Sequence, residues 1–280
     1  MKKTVKIGYV GLGRRGYACL KECLIRMADV EVVALCDTNP KALDKAAELY
    51  SEFDKPVPKL TTNYEDILND AEIDAVIIMT GWSGRSKMAV AAMRAGKYTG
   101  IEVGCTQMVD EAWDVVRAHE ETGVHVMMLE NDCYDRSHLL LLNMAKLGLF
   151  GEIVHCSGGY QHYLNEDEYY EKYEHPLTRE FDPTKNAGGH GGLDWYVFRA
   201  FVESVKAGIA PPIDVYDTAT LLAVGALSEE SIKNGGAPVE FPDFTRGKWS
   251  HRETDPQGKY SLSEVIEDKK IKLYNEGDLI

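Results

Sequence analysis

The chain lacks the features that would assign it to a membrane, a metal centre or a nucleic acid. No stretch approaches the ~18 uninterrupted apolar residues of a membrane span, and Met1 to Thr4 run into the first apolar segment without room for a signal peptide. The six cysteines form no Cys-x-x-Cys pair of the kind found in zinc and redox centres. Basic residues are few, 31 against 45 acidic ones, and the net charge of −14 disfavours anionic partners. We therefore expect a cytoplasmic protein that binds no metal, nucleic acid or membrane.

A glycine-rich turn follows the first apolar segment, residues 5–10. Gly11, Gly13 and Gly16 have the spacing Gly-x-Gly-x-x-Gly, which permits a tight strand-to-helix turn and lets a pyrophosphate lie against backbone N–H groups. Asp37 stands about 20 residues beyond the last glycine, where a carboxylate can accept hydrogen bonds from ribose hydroxyls. Strand, glycines and acid together predict a dinucleotide-binding site.

Short apolar segments alternate with helical patterns through the first half of the chain. Because most of these segments are continuously apolar, they are typical of a parallel sheet covered on both faces. The pattern predicts an α/β fold with a Rossmann-type doubly wound sheet. The predicted strands are residues 5–10, 30–36, 73–79, 98–103 and 124–129.

Polar residues follow three of these strands, at 80–85, 102–104 and 130–132. Since ligands bind at the carboxyl ends of parallel strands, we expect these residues to share one site. The charge of Asp37 would repel a 2′-phosphate, and no arginine follows it closely. The cofactor is therefore expected to be NAD rather than NADP.

Long runs spread over nearly the whole chain carry a family resemblance. They include Gly81-Trp82-Ser83-Gly84-Arg85 and segments 11–16, 100–104, 127–131, 142–145, 150–155, 173–176, 188–194, 213–218 and 236–239. On these runs the chain resembles the Gfo/Idh/MocA oxidoreductases, and among them the NAD-dependent glycoside hydrolases of family 109, typified by α-N-acetylgalactosaminidase. The resemblance implies sugar contacts from Tyr160 and Tyr173. The resemblance and the fingerprint imply that NAD contacts Gly11, Gly13, Arg14, Arg15, Gly16, Asp37, Trp82, Ser83, Gly84, Arg85, Glu102, Val103 and Asn131.

The end of one predicted strand bears on the type of reaction. Sugar dehydrogenases of the superfamily have Glu-Lys-Pro there, and the lysine serves acid–base chemistry beside the nicotinamide. This chain has Glu102-Val103-Gly104 instead. The hydrolase branch of the family also lacks the lysine. The resemblance thus implies transient oxidation at sugar C3, loss of the C2 proton, elimination of the glycosidic bond and reversal of these steps.

The chain departs from the family between Leu164 and Tyr173. Full-length relatives carry a long insertion there, with most of a mixed sheet and a Tyr-Pro-Thr-His motif whose histidine acts as a base; neither is present in this sequence. Residues 153–164 form the only convincing strand of the second half. Because unpaired backbone groups are costly to bury, this strand must join another protomer, extend the first sheet or fray.

The remaining second half is predicted to be helical, over residues 139–147, 192–206 and 217–232. The resemblance implies that the latter two helices pack against the nucleotide-binding domain. We expect a nucleotide-binding domain over residues 1–130, a reduced and mainly helical substrate domain over 131–247 with the strand 153–164, and a loosely attached polar tail over 248–280.

His190 is the candidate catalytic residue, since it lies in a glycine-rich turn with Asp194 four residues on. An imidazole beside a carboxylate is a plausible acid–base unit; alternatively, His190 only begins a helix whose glycines allow close packing. Three functions remain open. They are an NAD-dependent glycosidase acting on a hexosamine, an NAD-dependent sugar oxidoreductase, and an NAD-binding remnant that has lost its catalytic base. A homo-oligomer is possible.

Overall fold

The computed structural model describes residues 4–156, 173–179, 188–250 and 259–262. Six parallel strands form one sheet in the order β3-β2-β1-β4-β5-β6. This is the predicted doubly wound arrangement, and the order reverses between β1 and β4, where such sheets bind their ligands. The strands are β1 Val5–Val10, β2 Val30–Cys36, β3 Lys59–Thr61, β4 Ala75–Ile78, β5 Tyr98–Ile101 and β6 Val126–Met128.

The predicted bounds of β1 and β2 are confirmed, and β4, β5 and β6 are shorter than predicted by a few residues at their ends. β3 was not predicted because it has only three residues, of which Lys59 and Leu60 are exposed, so no apolar run marks it. It pairs with the second half of β2, from Ala34 to Cys36.

The helices begin and end where the sequence carries caps. Asn39 accepts a hydrogen bond from Lys41 N at 3.2 Å, with Pro40 as the first helical residue. Gly123 and Gly208 end two helices in the left-handed conformation, as C-terminal glycines do. The helices are α1 Arg14–Glu22, α2 Pro40–Glu52, α3 Glu65–Leu68, α4 Arg85–Arg94, α5 Val109–Thr122, α6 Arg136–Lys146, α7 Pro176–Arg179, α8 Leu193–Ala207 and α9 Val215–Lys233.

The two long helices of the second half pack onto the sheet, as expected. Tyr98 of β5 meets Phe201 of α8 edge to face, with ring centroids 5.4 Å apart. Thr218 of α9 accepts a hydrogen bond from the Met128 amide at 3.0 Å. This contact satisfies a backbone N–H group on the outer edge of β6, the last strand of the sheet. The hydrophobic core is therefore continuous from the first strand to Phe244, and the domain division after residue 130 stays a prediction.

Two expectations for the second half need correction where the structure describes them. Ile153 to Cys156 form no strand and are exposed, so the predicted strand 153–164 is wrong in its first four residues; the rest of it lies outside the described residues. Residues 259–262 of the predicted tail are attached: Tyr134 Oη donates to Tyr260 O at 2.8 Å, and Lys146 Nζ donates to Leu262 O at 3.0 Å. Tyr134 is buried, so its hydroxyl needs a hydrogen-bond partner, and the Tyr260 carbonyl supplies it.

No helix in the described part of the chain is both long and apolar enough to cross a membrane.

Candidate functional site

The three glycines of the turn between β1 and α1 have different roles. Gly11 has φ +94°, and a Cβ there would lie 2.8 Å from the Met79 carbonyl carbon at the end of β4. A Cβ on Gly16 would approach Gly11 O to 2.1 Å. Both glycines are thus required for close backbone packing. A Cβ on Gly13 would meet nothing within 4 Å, so this position presents open backbone that a ligand can approach.

The N-terminus of α1 offers the chemistry that a pyrophosphate requires. Gly13 is the N-cap and supplies no side chain to the free amides of the first turn. Arg14 is exposed and makes no ion pair with any described residue. Unpaired N–H groups, the positive end of the helix dipole and a nearby guanidinium all favour an anion. The residues present therefore fit the phosphate part of a dinucleotide.

Asp37 is held at the rim of the same turn. Its Oδ2 accepts from Leu12 N at 2.6 Å, and its Oδ1 accepts from Asn39 N at 2.8 Å. A carboxylate can accept about four hydrogen bonds, so each oxygen keeps capacity for a ribose hydroxyl. The backbone contacts fix the orientation of the carboxylate before any ligand arrives.

Arg85 is a buried residue that supports the loops around the site. Its guanidinium is buried and donates to Thr80 O, to Glu102 O at 2.6 Å and to Val103 O at 2.8 Å. Burial lowers the pKa of Arg85. Its side chain thus joins the ends of β4 and β5, and the predicted contact with NAD stays a prediction.

The loop before α4 covers the end of β5. Trp82 is 60% exposed, yet a Cβ on Gly104 would come within 2.6 Å of the Trp82 ring, so the indole lies directly on that glycine. Ser83 is exposed, and Gly84 enters α4 with φ +79°. Their contacts with NAD stay predictions, but all three residues border the carboxyl edge of the sheet.

Asp194, the second residue of α8, is the centre of a polar cluster at this edge. Both of its oxygens accept from Arg15, with Nη1–Oδ2 and Nη2–Oδ1 distances of 2.6 Å. Oδ1 also accepts from Asn131 Nδ2 at 2.6 Å, and Oδ2 lies 3.2 Å from His190 Nδ1. The Nε of Arg15 donates to Glu102 Oε2 at 3.2 Å. Three of the predicted site residues, Arg15, Asn131 and His190, therefore contact one carboxylate, and Glu102 joins the cluster through Arg15.

The electrostatics of the cluster keep both central groups charged. Burial opposes ionisation of Asp194, whose side chain is 2% exposed. The hydrogen bonds and the charge of Arg15 outweigh burial, so the pKa of Asp194 lies below its ordinary value. The hydrogen bond to Asp194 likewise raises the pKa of Arg15. The pair is a buried, bidentate ion pair, the strong form of such contacts.

His190 lies at the open side of the cluster. Its φ of +53° is unusual for a residue with a side chain, and the flanking glycines accommodate the turn. Its imidazole is 60% exposed. In the tautomer with its hydrogen on Nδ1, the ring donates to Asp194 and Nε2 is the basic nitrogen. The predicted histidine–carboxylate pair is present.

Sequence reasoning identified Asp194 only as the neighbour of His190. Its larger role, as the shared partner of Arg15 and Asn131, depends on contacts across 179 and 63 residues of chain. The only local signal was an acidic residue in the first turn of a predicted helix, which normally indicates interaction with the helix dipole.

The two tyrosines predicted to contact sugar have different outcomes. Tyr160 lies outside the described residues. Tyr173 is buried and packs against Leu140, and its carbonyl accepts from Asn143 Nδ2 at 3.3 Å. Tyr173 is therefore not exposed, although the sequence that precedes it is polar. Its contact with a substrate stays a prediction.

Comparisons with known proteins agree with both halves of this structure. Residues 5–130 match the Gfo/Idh/MocA oxidoreductase family, described as an NAD-binding Rossmann fold. Residues 134–168 and 163–251 match the C-terminal domain of glycosyl hydrolase 109 in two pieces. The part of the chain that carries the nucleotide-binding fingerprint is therefore similar to the Gfo/Idh/MocA oxidoreductases. The first half of the chain is an NAD-binding Rossmann domain, and NAD is its cofactor.

Two relatives show how this chain differs in length from the proteins that it resembles. A glycosyl hydrolase family 109 protein of Stenotrophomonas maltophilia is 28% identical over 414 aligned positions, covering 89% of this chain and 91% of the relative. The alpha-N-acetylgalactosaminidase of Tannerella forsythia is 24% identical and covers 89% and 88%. The 414 positions exceed the 280 residues of this chain. The relatives therefore carry an internal segment that this chain lacks, where the two matched pieces of the C-terminal domain meet at residues 163–168.

Among solved structures, scyllo-inositol dehydrogenase from Lactobacillus casei with bound NAD(H) and scyllo-inositol is similar at 22% identity and a TM-score of 0.48. The match covers 54% of this chain and 43% of that one.

Proposed function

We propose that this protein uses NAD in glycosidase-type chemistry on an α-linked N-acetylhexosamine. The observation that carries the proposal is His190, held on Asp194 at the same sheet edge as Arg15, Glu102 and Asn131. The relatives named as glycosyl hydrolase family 109 proteins support the substrate class. The missing lysine after Glu102 supports hydrolysis rather than simple alcohol oxidation.

Bound NAD supplies the hydride acceptor for sugar C3 and the hydride that is returned at the end. Oxidation turns the C3 alcohol into a ketone and makes the proton on C2 acidic. A base then removes that proton while the C1–O bond breaks, and the leaving alcohol takes a proton. Water adds at C1 and a proton returns to C2, after which the ketone is reduced. In the net reaction the glycoside is hydrolysed and NAD is regenerated.

His190 Nε2 is the base that this chain offers for one of these proton transfers. Asp194 holds the imidazole by its Nδ1–H and stabilises the positive charge that the ring gains. Arg15 holds Asp194 in turn, through two hydrogen bonds of 2.6 Å. The proton therefore moves at an exposed atom whose support is buried, an arrangement that limits reorganisation during the reaction.

A second candidate is an NAD-binding protein without hydrolytic activity. It is favoured by the absent internal segment, which in the family carries the Tyr-Pro-Thr-His base. A sugar oxidoreductase is the third, disfavoured by Val103 in place of the lysine.

The experiment measures three quantities on the purified protein. They are the thermal shift with NAD, the release of nitrophenol from p-nitrophenyl α-N-acetylgalactosaminide, and the incorporation of solvent deuterium at C2 of the released sugar. We expect NAD stabilisation, release of nitrophenol and deuterium at C2. His190→Ala is expected to abolish the latter two, while His155→Ala, at an exposed histidine outside the cluster, leaves them unchanged.

Each alternative has its own outcome. NAD binding without nitrophenol release would support the second candidate, an NAD-binding protein without hydrolytic activity. Sugar-dependent accumulation of NADH absorbance would indicate an oxidoreductase. Hydrolysis without deuterium at C2 would refute the elimination route.

A further inference from the structure

Two adjacent arginines open α1, and their surroundings differ. Arg14 is the first residue of the helix after the N-cap Gly13, and Arg15 is the second. Successive residues of an α-helix are turned by about 100° around its axis, so the two side chains leave the helix in different directions. Arg14 is exposed, whereas the Arg15 side chain is 31% exposed and reaches the second half of the chain.

The Arg15 guanidinium is already committed to two carboxylates. Its two terminal nitrogens donate to the two oxygens of Asp194 at 2.6 Å, and its Nε donates to Glu102 at 3.2 Å. Two parallel hydrogen bonds between planar groups are the strong form of such a pair. The Asp194 side chain is 2% exposed. A guanidinium that turned towards NAD would therefore leave this buried carboxylate charged and without its cation.

The free energies of the two possible Arg15 contacts are unequal. Removing one partner from a buried ion pair is strongly destabilising, because the desolvated charge that remains has no compensation. An arginine that reaches a ligand phosphate at the protein surface gains less, since solvent and salt screen exposed charges. Exchanging Asp194 for a phosphate is therefore unfavourable for Arg15, and we expect the pair to persist when NAD binds.

Arg14 has no such competing contact. Within the part of the chain that the structure describes, its side chain forms no ion pair. It belongs to the same first turn as the free amides of α1, beside Gly13, where an added Cβ would meet nothing within 4 Å. Moving its guanidinium to an anion at this turn breaks no described ion pair and costs only side-chain conformational entropy.

We infer that the two arginines divide between the cofactor and the second half of the chain: Arg14 pairs with the pyrophosphate of NAD, and the Arg15 side chain stays on Asp194 in the NAD-loaded protein. Arg15 is then a positioning residue, which fixes the start of α8, and with it His190, to the helix that receives the cofactor. The fingerprint predicts that both arginines contact NAD; the inference limits Arg15 to its backbone N–H. It concerns NAD binding alone, so a protein that hydrolyses no glycoside would refute the proposed function and leave this inference intact.

The test measures NAD affinity by calorimetry and amide hydrogen exchange in the first two turns of α8, residues 193–200. Arg14→Gln should weaken NAD binding by about tenfold, reduce its dependence on salt and leave the exchange unchanged. Arg117→Gln, at an exposed arginine on α5, is the matched control and should change neither quantity. The double variant Arg15→Gln/Asp194→Asn removes one charge of each sign. It should speed the exchange and keep NAD affinity within about threefold of the parent.

Three results would overturn the inference: an Arg14→Gln variant that binds NAD as tightly as the parent, a double variant that loses as much NAD affinity as Arg14→Gln does, or faster exchange at residues 193–200 when NAD is added to the parent. The last measurement uses the unaltered protein, so it decides the question even if the double variant does not fold. A general loss of structure would change both quantities together, whereas we expect each arginine to change only one of them.

Discussion

Replacing Asp194 with asparagine tests whether its carboxylate holds the site together. The carboxylate accepts three hydrogen bonds of 2.6 Å from Arg15 and Asn131, and its side chain is 2% exposed. The amide of asparagine would direct N–H donors at one of these donors. Arg15 would lose the ion pair and one of its two hydrogen bonds to this residue, and it would keep its contact with Glu102, at 3.2 Å.

The expected loss follows from how far each partner of the ion pair is buried. Breaking a fully buried ion pair by removing one partner costs about 3–5 kcal/mol. The Arg15 side chain is 31% exposed and retains Glu102, so solvent recovers part of that cost. We therefore expect Asp194→Asn to lower the free energy of unfolding by ~2–3 kcal/mol. That corresponds to a fall in Tm of roughly 4–10 °C for a protein of this size.

Urea and thermal unfolding with Asp114→Asn as the control measure this effect. Asp114 pairs with Arg117 at 2.6 Å, but both side chains are about half exposed, so its loss should stay within about 0.5 kcal/mol. The pKa of Asp194 is lowered in the folded protein. Its stabilisation is therefore complete above the unfolded value of ~3.9 and is lost as the pH falls through the folded value. The difference between parent and variant should shrink below about pH 4.

Equal stability losses in the two variants would refute this account of Asp194. A loss at Asp194 that stays constant from neutral to strongly acid pH would also contradict it, because the effect would then be steric rather than ionic.

Three further variants test the cofactor site and the packing of α9. Gly13→Ala should leave the free energy of unfolding within about 0.5 kcal/mol of the parent, because a Cβ there meets nothing; NAD affinity should fall by calorimetry, and unchanged affinity would mean that the ligand avoids this backbone. Asp37→Ser should weaken NAD binding by about tenfold or more and improve the relative affinity for NADP; an unaltered ratio of the two affinities would show that this carboxylate does not select the cofactor. Thr218→Val strands the buried Met128 amide and should cost ~1–3 kcal/mol in urea unfolding, whereas Thr220→Val, on the exposed face of the same helix, should cost little; a similar loss in both would refute the capping role.

Sequence patterns succeeded wherever one local cause decides the structure. The glycine turn, the apolar strands β1 and β2, and the helix that opens at Asn39 and Pro40 all follow from steric and capping rules that act over a few residues. β3 was missed for the same reason, since three residues with two exposed side chains carry no periodic signal.

Local sequence patterns predicted only part of the candidate site. The structure brings Glu102 and Asn131, from two of the polar strand ends, into one cluster with Arg15 and Asp194. That these strand ends share a ligand site stays a prediction. Arg85 illustrates the limit. A motif arginine beside a nucleotide site suggests a contact with NAD, but this guanidinium donates to carbonyls that follow β4 and β5, and no local pattern reports that direction.

The amino-acid sequence by itself determined the Rossmann half, the NAD fingerprint and the absence of the family's internal segment. Each depends on short-range sterics or on residues that are plainly present or missing. Only the tertiary structure decided that Asp194 binds Arg15, 179 residues away in the chain, and that Asn131 and His190 contact the same carboxylate. Charge pairing depends on distances across the fold, because a buried carboxylate selects whichever cation the packing of α1 against α8 brings within hydrogen-bond range.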